Sequence, residues 1–298
     1  MNDVVHVVLV HRNRAQACLA AIDAYRRQEL PVRVTVVDSG SAGDQLAILR
    51  SAVEGDEQVE VVPVGENIGF GPGANVGLRK WLSEAADGEW VAVAPHDAVP
   101  DAECLSKSIA ELARRPRAGL ACADVGDGCT PVLDPYFGGI LKPAGRTSGW
   151  EDADHPHGTL LFARRACLEE VGLFDERFFA YCEEADLAVR ARARGWQVGL
   201  IRGALVRNPD LGSSVPVVDY LQHRNTLILV REMSGRYHVF IRFCISVLHL
   251  LRGVLQPSRR PPVFSARARV LAMRDYLRKR FGAPPTALLR TRRASRRP

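Results

Sequence analysis

The chain has 298 residues, of which 47% are hydrophobic and 25% are charged, as in a soluble globular protein with one large domain or two smaller ones. Its seven Cys residues are odd in number and contain no CxxC pair, which argues against a disulfide framework and a zinc site and favours a reducing compartment. The net charge of +6 is unevenly divided: residues 236–298 hold 16 Arg and Lys and one acid, a net +15, whereas the first 235 residues carry −9.

Apolar runs predict seven buried β-strands, because strands of a parallel sheet are covered on both faces. These runs occupy residues 4–10, 32–37, 59–64, 90–94, 119–124, 160–162 and 197–201. Apolar residues at helical spacing predict helices between and after them. The helices occupy residues 14–27, 44–53, a stretch that ends at 81, 105–114, 165–171, 186–194, 220–232 and 237–255. The first run has no basic leader and no cleavage site, so we expect a strand there and not a signal peptide.

The alternation of strands and helices predicts an α/β fold with a parallel sheet and helices on both faces. In such a sheet the ligand site lies beyond the carboxyl ends of the strands. Residues 38–41, the Gly-rich turn at 67–75 and Asp97 all fall at those ends. The turn lacks the GxGxxG order after the first strand, and no Walker motif is present, so a dehydrogenase or a kinase is disfavoured. The Gly- and Pro-rich residues 126–150 predict an irregular connection or a hairpin.

Two carboxylates at the predicted sheet edge are candidates for ligand binding. Asp38 has the chemistry to accept a hydrogen bond from a base N–H or a ribose hydroxyl, although an Asx-turn that ends the strand would also explain it. Asp97 has the oxygen ligands that Mg²⁺ and Mn²⁺ prefer, although a helix-capping turn residue would look the same. His96, taken singly, is better explained as a local hydrogen-bonding residue.

The segment 178–187 concentrates three carboxylates behind a run of aromatic residues. Glu183, Glu184 and Asp186 lie within four positions of one another, so burial and mutual repulsion would raise their pKa values. A metal ion, a nearby Arg or a role in proton transfer would offset this cost. A solvated helix start is the alternative, because acids favour the N-terminal end of a helix.

Taken together, these motifs resemble the family 2 glycosyltransferases, and most closely their rhamnosyltransferase-like branch. The matching segments follow one another in the family's order at residues 36–41, 66–78, 94–101, 157–165, 171–176 and 178–196. The resemblance covers roughly residues 4–232. It implies the GT-A fold, a mixed and mostly parallel sheet flanked by helices, as one domain at residues 1–232. A basic helical extension would follow at residues 233–298.

The resemblance also implies an activity. It is the transfer of a sugar, of the hexosyl type, from a nucleotide diphosphate donor to an acceptor hydroxyl, with inversion at the anomeric carbon. A dTDP- or UDP-sugar is the expected donor, and the branch favours dTDP-rhamnose. The expected acceptor is a glycan, a glycolipid or a small natural product, in bacterial cell-wall, polysaccharide or natural-product glycosylation. A catalytically degenerate nucleotide-sugar-binding or scaffolding protein is the alternative.

Site residues are carried over from the family's motifs position by position. Glu184 falls where the family usually has an Asp that acts as catalytic base, and Glu183 would support it. The donor-binding residues would be Arg12, Asp38, Ser39, Asn67, Gly69, Asn75, His96 and Asp97. The acceptor-binding residues would be Tyr136, Trp150, His157 and Gly158. For Tyr136 and Trp150, stacking on the acceptor competes with ordinary packing.

The metal site is the point at which the sequence departs from the family. Asp97 matches the last carboxylate of the DxD-type motif, so it is the predicted ligand of Mg²⁺ or Mn²⁺. Pro95 replaces the first carboxylate, and Asn208 stands where a metal-binding His is usual. Metal dependence is therefore left open, nearby Arg residues are alternative carriers of the positive charge, and His96 and Asp210 are substitute ligands.

The C-terminal extension leaves two interpretations open. Residues 237–255 are long enough to span a membrane, but they carry Arg242, His249 and Arg252, so an interfacial helix is favoured over a spanning one. The basic tail would then hold a cytoplasmic enzyme at the inner face of the plasma membrane, beside a lipid-linked acceptor. The competing hypothesis is a soluble enzyme whose tail helices form a homodimer interface. A nucleic-acid partner is not expected, because the tail's basic residues are not interleaved with aromatic ones.

Overall fold

The computed structural model describes residues 4–85, 88–208 and 212–289, and contacts divide the chain into two compact units. The first unit comprises Met1–Asp134 and Gly139–Asp210, and the second comprises Pro135–Gly138 and Leu211–Pro298. The domain boundary expected at residue 232 falls inside a long helix of the second unit, Val215–Leu255.

The first unit is built on a sheet of nine strands among the described residues. The strands of the chain are β1 Val5–His11, β2 Val32–Asp38, β3 Val59–Pro63, β4 Trp90–Pro95, β5 Val99–Pro100, β6 Ala118–Asp124, β7 Cys129–Asp134, β8 Gly138–Pro143, β9 Gly149–Asp152, β10 Leu161–Arg164 and β11 Gln197–Arg207. The order across the sheet is β3-β2-β1-β4-β10-β6-β11-β5, with β9 also paired to β11. Strands β1 to β4 pair in parallel, and β10 is antiparallel to both of its neighbours. The predicted mixed, mostly parallel sheet is confirmed, and β7 pairs with β8 as a hairpin interpretation requires.

Helices cover both faces of this sheet. They are α1 Ala15–Arg26, α2 Gly43–Ala52, α3 Phe70–Glu84, α4 Cys104–Ala113, α5 Arg165–Val171 and α6 Glu183–Ala193. Successive residues of a strand point to opposite faces, so Val7 and Leu9 of β1 join the core that α1 and α4 cover, whereas Val8 and Val10 join the core of α3, α5 and α6. The continuous apolar run of β1 is therefore explained by burial on both faces.

Helix α3 approaches β1 more closely than side chains would allow. A Cβ atom on Gly73 would lie 2.8 Å from a methyl group of Val10, and one on Gly77 would lie 2.4 Å from a methyl group of Val8. The glycines of the Gly-rich turn thus serve partly to let the helix rest on the sheet. This packing holds the start of α3 above the carboxyl end of β1.

The second unit contains α7 Val215–Leu255, α8 Ala266–Leu277, a short 3-10 turn Pro257–Arg259 and α9 Thr286–Leu289. Helix α7 is interrupted at Gly235, whose φ of 87° breaks the helix between the two stretches predicted at 220–232 and 237–255. A buried ion pair joins α7 to α8, with Arg269 Nε 3.0 Å from a carboxylate oxygen of Asp219. By length and composition, α7 is the one helix within the described residues that is apolar enough to cross a membrane.

Candidate active site

The carboxyl ends of β2, β1 and β4 lie side by side and define one edge of the sheet. His11 is in register with Asp38, and Val10 is in register with Pro95, so the residues that follow β4 are adjacent to those that end β1 and β2. The sequence predicted this meeting of Asp38 and Asp97 from the rule for parallel strands. The same edge also holds two residues that the sequence analysis did not select, His11 and Arg14.

Asp38 is buried and held in a fixed orientation by its neighbours. His11 Nδ1 lies 2.8 Å from one carboxylate oxygen, and the backbone N–H of Ser41 donates to the other at 3.1 Å. The Ser41 hydroxyl also donates to Asp38. Burial lowers the pKa of His11, although Asp38 opposes this shift, so the imidazole is neutral near pH 7 and its Nδ1 proton faces the carboxylate. A carboxylate accepts about four hydrogen bonds, so Asp38 keeps capacity for a further donor.

Ser39 connects this edge to the Gly-rich turn. Its hydroxyl oxygen accepts the N–H of Ile68 at 3.0 Å, and its own N–H donates to the carbonyl of His11 at 2.9 Å. Asn67 accepts the N–H of Gly69 at 3.2 Å. Three of the predicted donor-binding residues, Ser39, Asn67 and Gly69, are therefore brought together beside Asp38.

The Gly-rich turn also contacts the segment that precedes Glu183 and Glu184. The carbonyl of Phe179 accepts the N–H groups of Phe70 and Gly71 at 2.7 and 3.2 Å, at the start of α3. Gly69 has φ 93° and ψ −173°, a conformation that only glycine adopts readily, and a Cβ atom there would lie 2.3 Å from the same carbonyl. Hydrogen bonds therefore link the Gly-rich turn to the segment that precedes Glu183 and Glu184.

The backbone before the acidic pair is strained. Phe179, Tyr181 and Cys182 have φ values of 66°, 69° and 72°, in the left-handed region that bulky residues avoid. Each such residue costs on the order of 1–3 kcal/mol, and such strain clusters at functional sites. Burial of the aromatic rings of Phe178 and Phe179 offsets part of this cost. The segment delivers Glu183 and Glu184 as the first two residues of α6.

The two glutamates have different surroundings. Glu183 is buried, its Oε2 atom has no hydrogen-bond partner among the described residues, and burial followed by the charge of Glu184 raises its pKa well above the usual value. Glu184 is only partly buried, and desolvation raises its pKa to about 7. Asp186 forms an ion pair with Arg190, one turn further along α6, at 2.9 Å. A solvated helix start therefore does not describe this segment.

Asp97 lies in a different environment. Its carboxylate is buried and pairs with Arg14 at 2.8 Å. The neighbouring His96 packs edge-on against His11, with 5.2 Å between ring centroids. Its Nδ1 lies 3.2 Å from the carbonyl of Val10, and its Nε2 is buried with no partner in the described chain. An imidazole whose Nδ1–H donates to a carbonyl has a lone pair at Nε2, which is the arrangement of a metal-ligating histidine.

A divalent cation fits this corner only together with a ligand. No group of three or more His, Cys, Asp or Glu residues that would hold a metal occurs in the described ranges, and Asp210 lies outside them. Asn208 is exposed just after β11. Asp97 and the free Nε2 of His96 would supply at most two ligands, and oxygen atoms of a diphosphate and of water would have to supply the rest. Arg14 already supplies one positive charge here.

The remaining predicted residues are placed as follows. Asn75 is buried, and its amide bonds both the N–H and the carbonyl of Phe174, which ties α3 to the segment before the acids. Arg12 is exposed just after β1. Gly158 faces open space, and His157 has a buried Nε2 without a partner among the described residues and a pKa lowered by burial.

Two aromatic residues that were candidates for stacking on an acceptor are engaged elsewhere. Trp150 is buried in the core of the first unit, where its ring fills the space above Gly199 and Arg115 covers a face. Its indole N–H donates to Asp152 at 2.7 Å. Tyr136 belongs to the second unit and packs against His238, with ring centroids 4.8 Å apart. For Trp150 the packing alternative describes the observed contacts, because its ring is not available to a ligand.

His11 and Arg14 are the site residues that the sequence analysis missed. Both lie at or after the end of β1, so the same strand-end rule would have found them. The apolar run that predicts the first strand ends at residue 10, whereas β1 continues to His11. Arg14 was assigned to the start of a helix, although α1 begins one residue later and leaves its side chain at the edge.

The fold of the first unit is the GT-A fold of glycosyltransferases. A mannosyltransferase from Pyrobaculum calidifontis, solved in complex with GDP-Man and Mn²⁺, superposes with a TM-score of 0.60 over 93% of this chain and 87% of that protein, at 15% identity. At this identity the likeness concerns the fold.

The family described as glycosyl transferase family 2 matches residues 6–172, and the chain belongs to this family. The chain is 28% identical over 236 residues to the N-acetylglucosaminyl-diphospho-decaprenol L-rhamnosyltransferase of Mycobacterium tuberculosis, which covers 66% of this chain and 73% of the relative. It is also 28% identical over 188 residues to the low-salt glycan biosynthesis hexosyltransferase Agl10 of Haloferax volcanii, with 59% and 58% covered. The predicted membership of the rhamnosyltransferase-like branch is confirmed.

Proposed function

We propose that the chain is an inverting glycosyltransferase that moves a hexosyl group from a dTDP- or UDP-sugar to an acceptor hydroxyl by direct displacement, with Glu184 as the general base. The observation that carries this proposal is the contact between Phe179 and the start of α3, because it joins the edge that bears Asp38 to the segment that bears Glu184. Family membership supports the activity. The M. tuberculosis relative supports rhamnose as the sugar, because its name states that transfer.

Asp38 and its neighbours would hold the nucleotide. The carboxylate is oriented by His11 and Ser41 and keeps room for one more donor, which the imide N–H of uracil or thymine supplies. Arg12, exposed beside this carboxylate's strand, would lie against the base or ribose. The turn at Asn67 and Gly69 would line the ribose and diphosphate.

The chemistry needs a base on the side of the sugar opposite the leaving diphosphate. The acceptor oxygen forms a bond to the anomeric carbon, the bond from that carbon to the diphosphate oxygen breaks, and the acceptor proton passes to the Glu184 carboxylate. A carboxylate with a pKa of about 7 is well matched to this transfer near neutral pH. Burial and the charge of Glu184 raise the pKa of Glu183 well above its usual value, which favours its neutral form, so Glu183 would support Glu184 without adding a second full negative charge.

The departing diphosphate needs positive charge. Arg14, which pairs with Asp97, would supply this charge by turning its guanidinium group from the carboxylate to the phosphates. Asp97 and His96 would hold Mg²⁺ or Mn²⁺ with the diphosphate, and such a cation, when bound, would stabilise charge that develops on the leaving group. A structural neighbour is consistent with this, since the P. calidifontis mannosyltransferase was solved in complex with GDP-Man and Mn²⁺.

The proposal is tested by a thermal-shift screen of nucleotide sugars with and without Mn²⁺, followed by an assay of nucleoside diphosphate release. A donor that binds the native chain raises its melting temperature. We expect a shift with dTDP- or UDP-sugars and release of the diphosphate with the preferred one. Donor binding with neither diphosphate release nor sugar transfer in the presence of any divalent ion tested would favour a catalytically degenerate binding protein instead.

The pH dependence of turnover follows from the raised pKa of Glu184. The base must be ionised, so kcat should rise about tenfold per pH unit below an apparent pKa near 7 and level off above it. Initial rates at about pH 5.5 to 8.5 measure this pH dependence of kcat. Thermal melts at each pH identify the values at which the chain is folded, and only those values are compared. A rate that is flat across this range would contradict the assignment.

The replacement Asp38→Asn tests the nucleotide site. We expect donor affinity to fall about tenfold or more, because an amide offers one acceptor oxygen, whereas the carboxylate would accept from three donor groups of His11 and Ser41 and from the base. Calorimetric titration with UDP and dTDP measures the change. The matched control is Asp44→Asn, on the exposed first turn of α2, which should leave affinity unchanged. Equal affinities for both variants and the wild type would remove Asp38 from the site.

A further inference from the structure

The second half of α7 exposes a continuous apolar face. Its members are Tyr237, Phe240, Leu248, Leu251 and Leu255, which are between 50% and 76% exposed. At about 100° per residue, these five positions fall within roughly 80° of the helix circumference. We call this face the apolar stripe. Exposed apolar residues scattered singly are common, but a contiguous stripe of this kind marks an interaction surface.

The side of the same helix next to the stripe is already occupied. Val239, Phe243, Val247 and Leu250 pack with Met273 of α8 in one cluster. The stripe is therefore not the core-facing side of α7, and no cluster of buried residues in the described part of the second unit includes it. Helix α8 also exposes two apolar residues, Val270 and Leu277.

Basic side chains surround the stripe. Arg236 and Arg252 are exposed near its two ends, and Arg259 follows in the exposed turn after α7. Residues 236–298 as a whole carry a net charge of +15. Long Arg side chains at the border of an apolar face can lay their methylene groups along it and keep the guanidinium at the phosphate level of a bilayer. Apolar face and basic border together are the pattern of an interfacial membrane helix.

We propose that the apolar stripe is a membrane-docking surface that lies in the headgroup region of an anionic lipid bilayer. The charge argues for lipid over a second copy of the chain, because a symmetric contact would bring together two copies of a segment whose net charge is +15. It argues for an interfacial helix over a spanning one, because Arg242 is buried on the packed side against the ring of Phe137 and would lie at membrane depth. This surface is independent of the proposed transfer reaction.

The test is flotation of the full chain with lipid vesicles. Vesicles of phosphatidylcholine alone are compared with vesicles that contain phosphatidylglycerol. Substitutions are preferred to deletion of residues 257–298, because that deletion would also remove α8 and its packing on α7. The stripe variant is Leu248→Ser with Leu251→Ser. The matched control is Ile48→Ser with Leu141→Ser, two exposed apolar positions in the first unit. A charge variant, Arg236→Gln with Arg252→Gln and Arg259→Gln, separates the two contributions.

We expect the wild type and the control to float with anionic vesicles, and alkaline carbonate to release them. The partition coefficient of the stripe variant onto vesicles should be at least about tenfold lower than that of the wild type, because two Leu side chains are no longer transferred from water into the bilayer. The charge variant should lose its preference for anionic over neutral vesicles. Equal flotation of the stripe variant and the wild type would overturn the proposal. A wild type that does not bind vesicles but elutes as a dimer, with the dimer absent in the stripe variant, would also overturn it. So would a wild type that remains on the vesicles after alkaline carbonate treatment.

Discussion

Replacement of Glu184 by Gln should lower turnover by about a thousandfold or more and leave donor binding within about threefold of the wild type. The amide cannot take the proton of the acceptor hydroxyl, but it keeps the size and the hydrogen-bonding shape of the carboxyl group. Diphosphate release and calorimetric donor titration, run on the same preparation, measure the two quantities separately.

The control for this prediction is Glu57→Gln, an exposed glutamate in the loop before β3. It should leave both turnover and binding unchanged. A Glu184→Gln enzyme that retains more than about a tenth of wild-type turnover would assign the base to another residue. Loss of donor binding together with turnover would assign Glu184 to the donor site.

The same substitution makes a prediction about stability. Burial raises the pKa of Glu184 to about 7 in the folded chain, above the ordinary value of 4.5, so the native state holds a proton that the unfolded state releases. Stability contributed by this group is therefore present below pH 4.5 and is lost as pH rises towards 7. Because the side chain is partly exposed, we expect Glu184→Gln to gain only about 1–2 kcal/mol at pH 8, measured by urea unfolding. An inactive variant that is also less stable at pH 8 would contradict this account.

Gly69→Ala should disable the enzyme by a structural route. Its φ of 93° with ψ −173° is a glycine conformation, and the new Cβ would lie 2.3 Å from the carbonyl of Phe179. We expect a loss of about 3 kcal/mol or more in the free energy of unfolding. Turnover should fall by about a hundredfold or more in the molecules that remain folded, because a shift of one ångström in the acidic segment misplaces Glu184.

The matched control is Gly43→Ala, at the first position of α2, where a Cβ atom meets nothing within 4 Å. It should be neutral or slightly stabilising. Unfolding by urea and initial-rate assays compare the two variants. A Gly69→Ala chain with wild-type stability and turnover would show that the contact between the turn and Phe179 does not hold the acidic segment in place.

Much of the fold followed from the sequence because its signals were local. The apolar run of β1 and the helical spacing of α1 each depend on residues within a few positions, and the strand-end rule then placed Asp38 and Asp97 at one edge. The break at Gly235 was likewise expected between two helical patterns. These features needed only periodicity and known sheet geometry.

The finer features of the site depend on contacts between residues far apart in the chain. The sequence placed the start of α6 at Asp186, whereas the helix begins at Glu183 after strained residues that are held by Phe179 and the Gly-rich turn. The sequence left two interpretations of Trp150, stacking on a ligand or packing in the core, and the close approach of its ring to Gly199 decides for packing. Local pattern cannot report such long-range packing.

The most direct test of the central claim is a crystal structure of the Glu184→Gln variant with an intact nucleotide sugar. The account predicts that the base of the nucleotide contacts Asp38 and that the side chain at position 184 faces the anomeric carbon from the side opposite the diphosphate. A sugar bound with its diphosphate on the same side as that side chain, or with the anomeric carbon remote from it, would contradict the account.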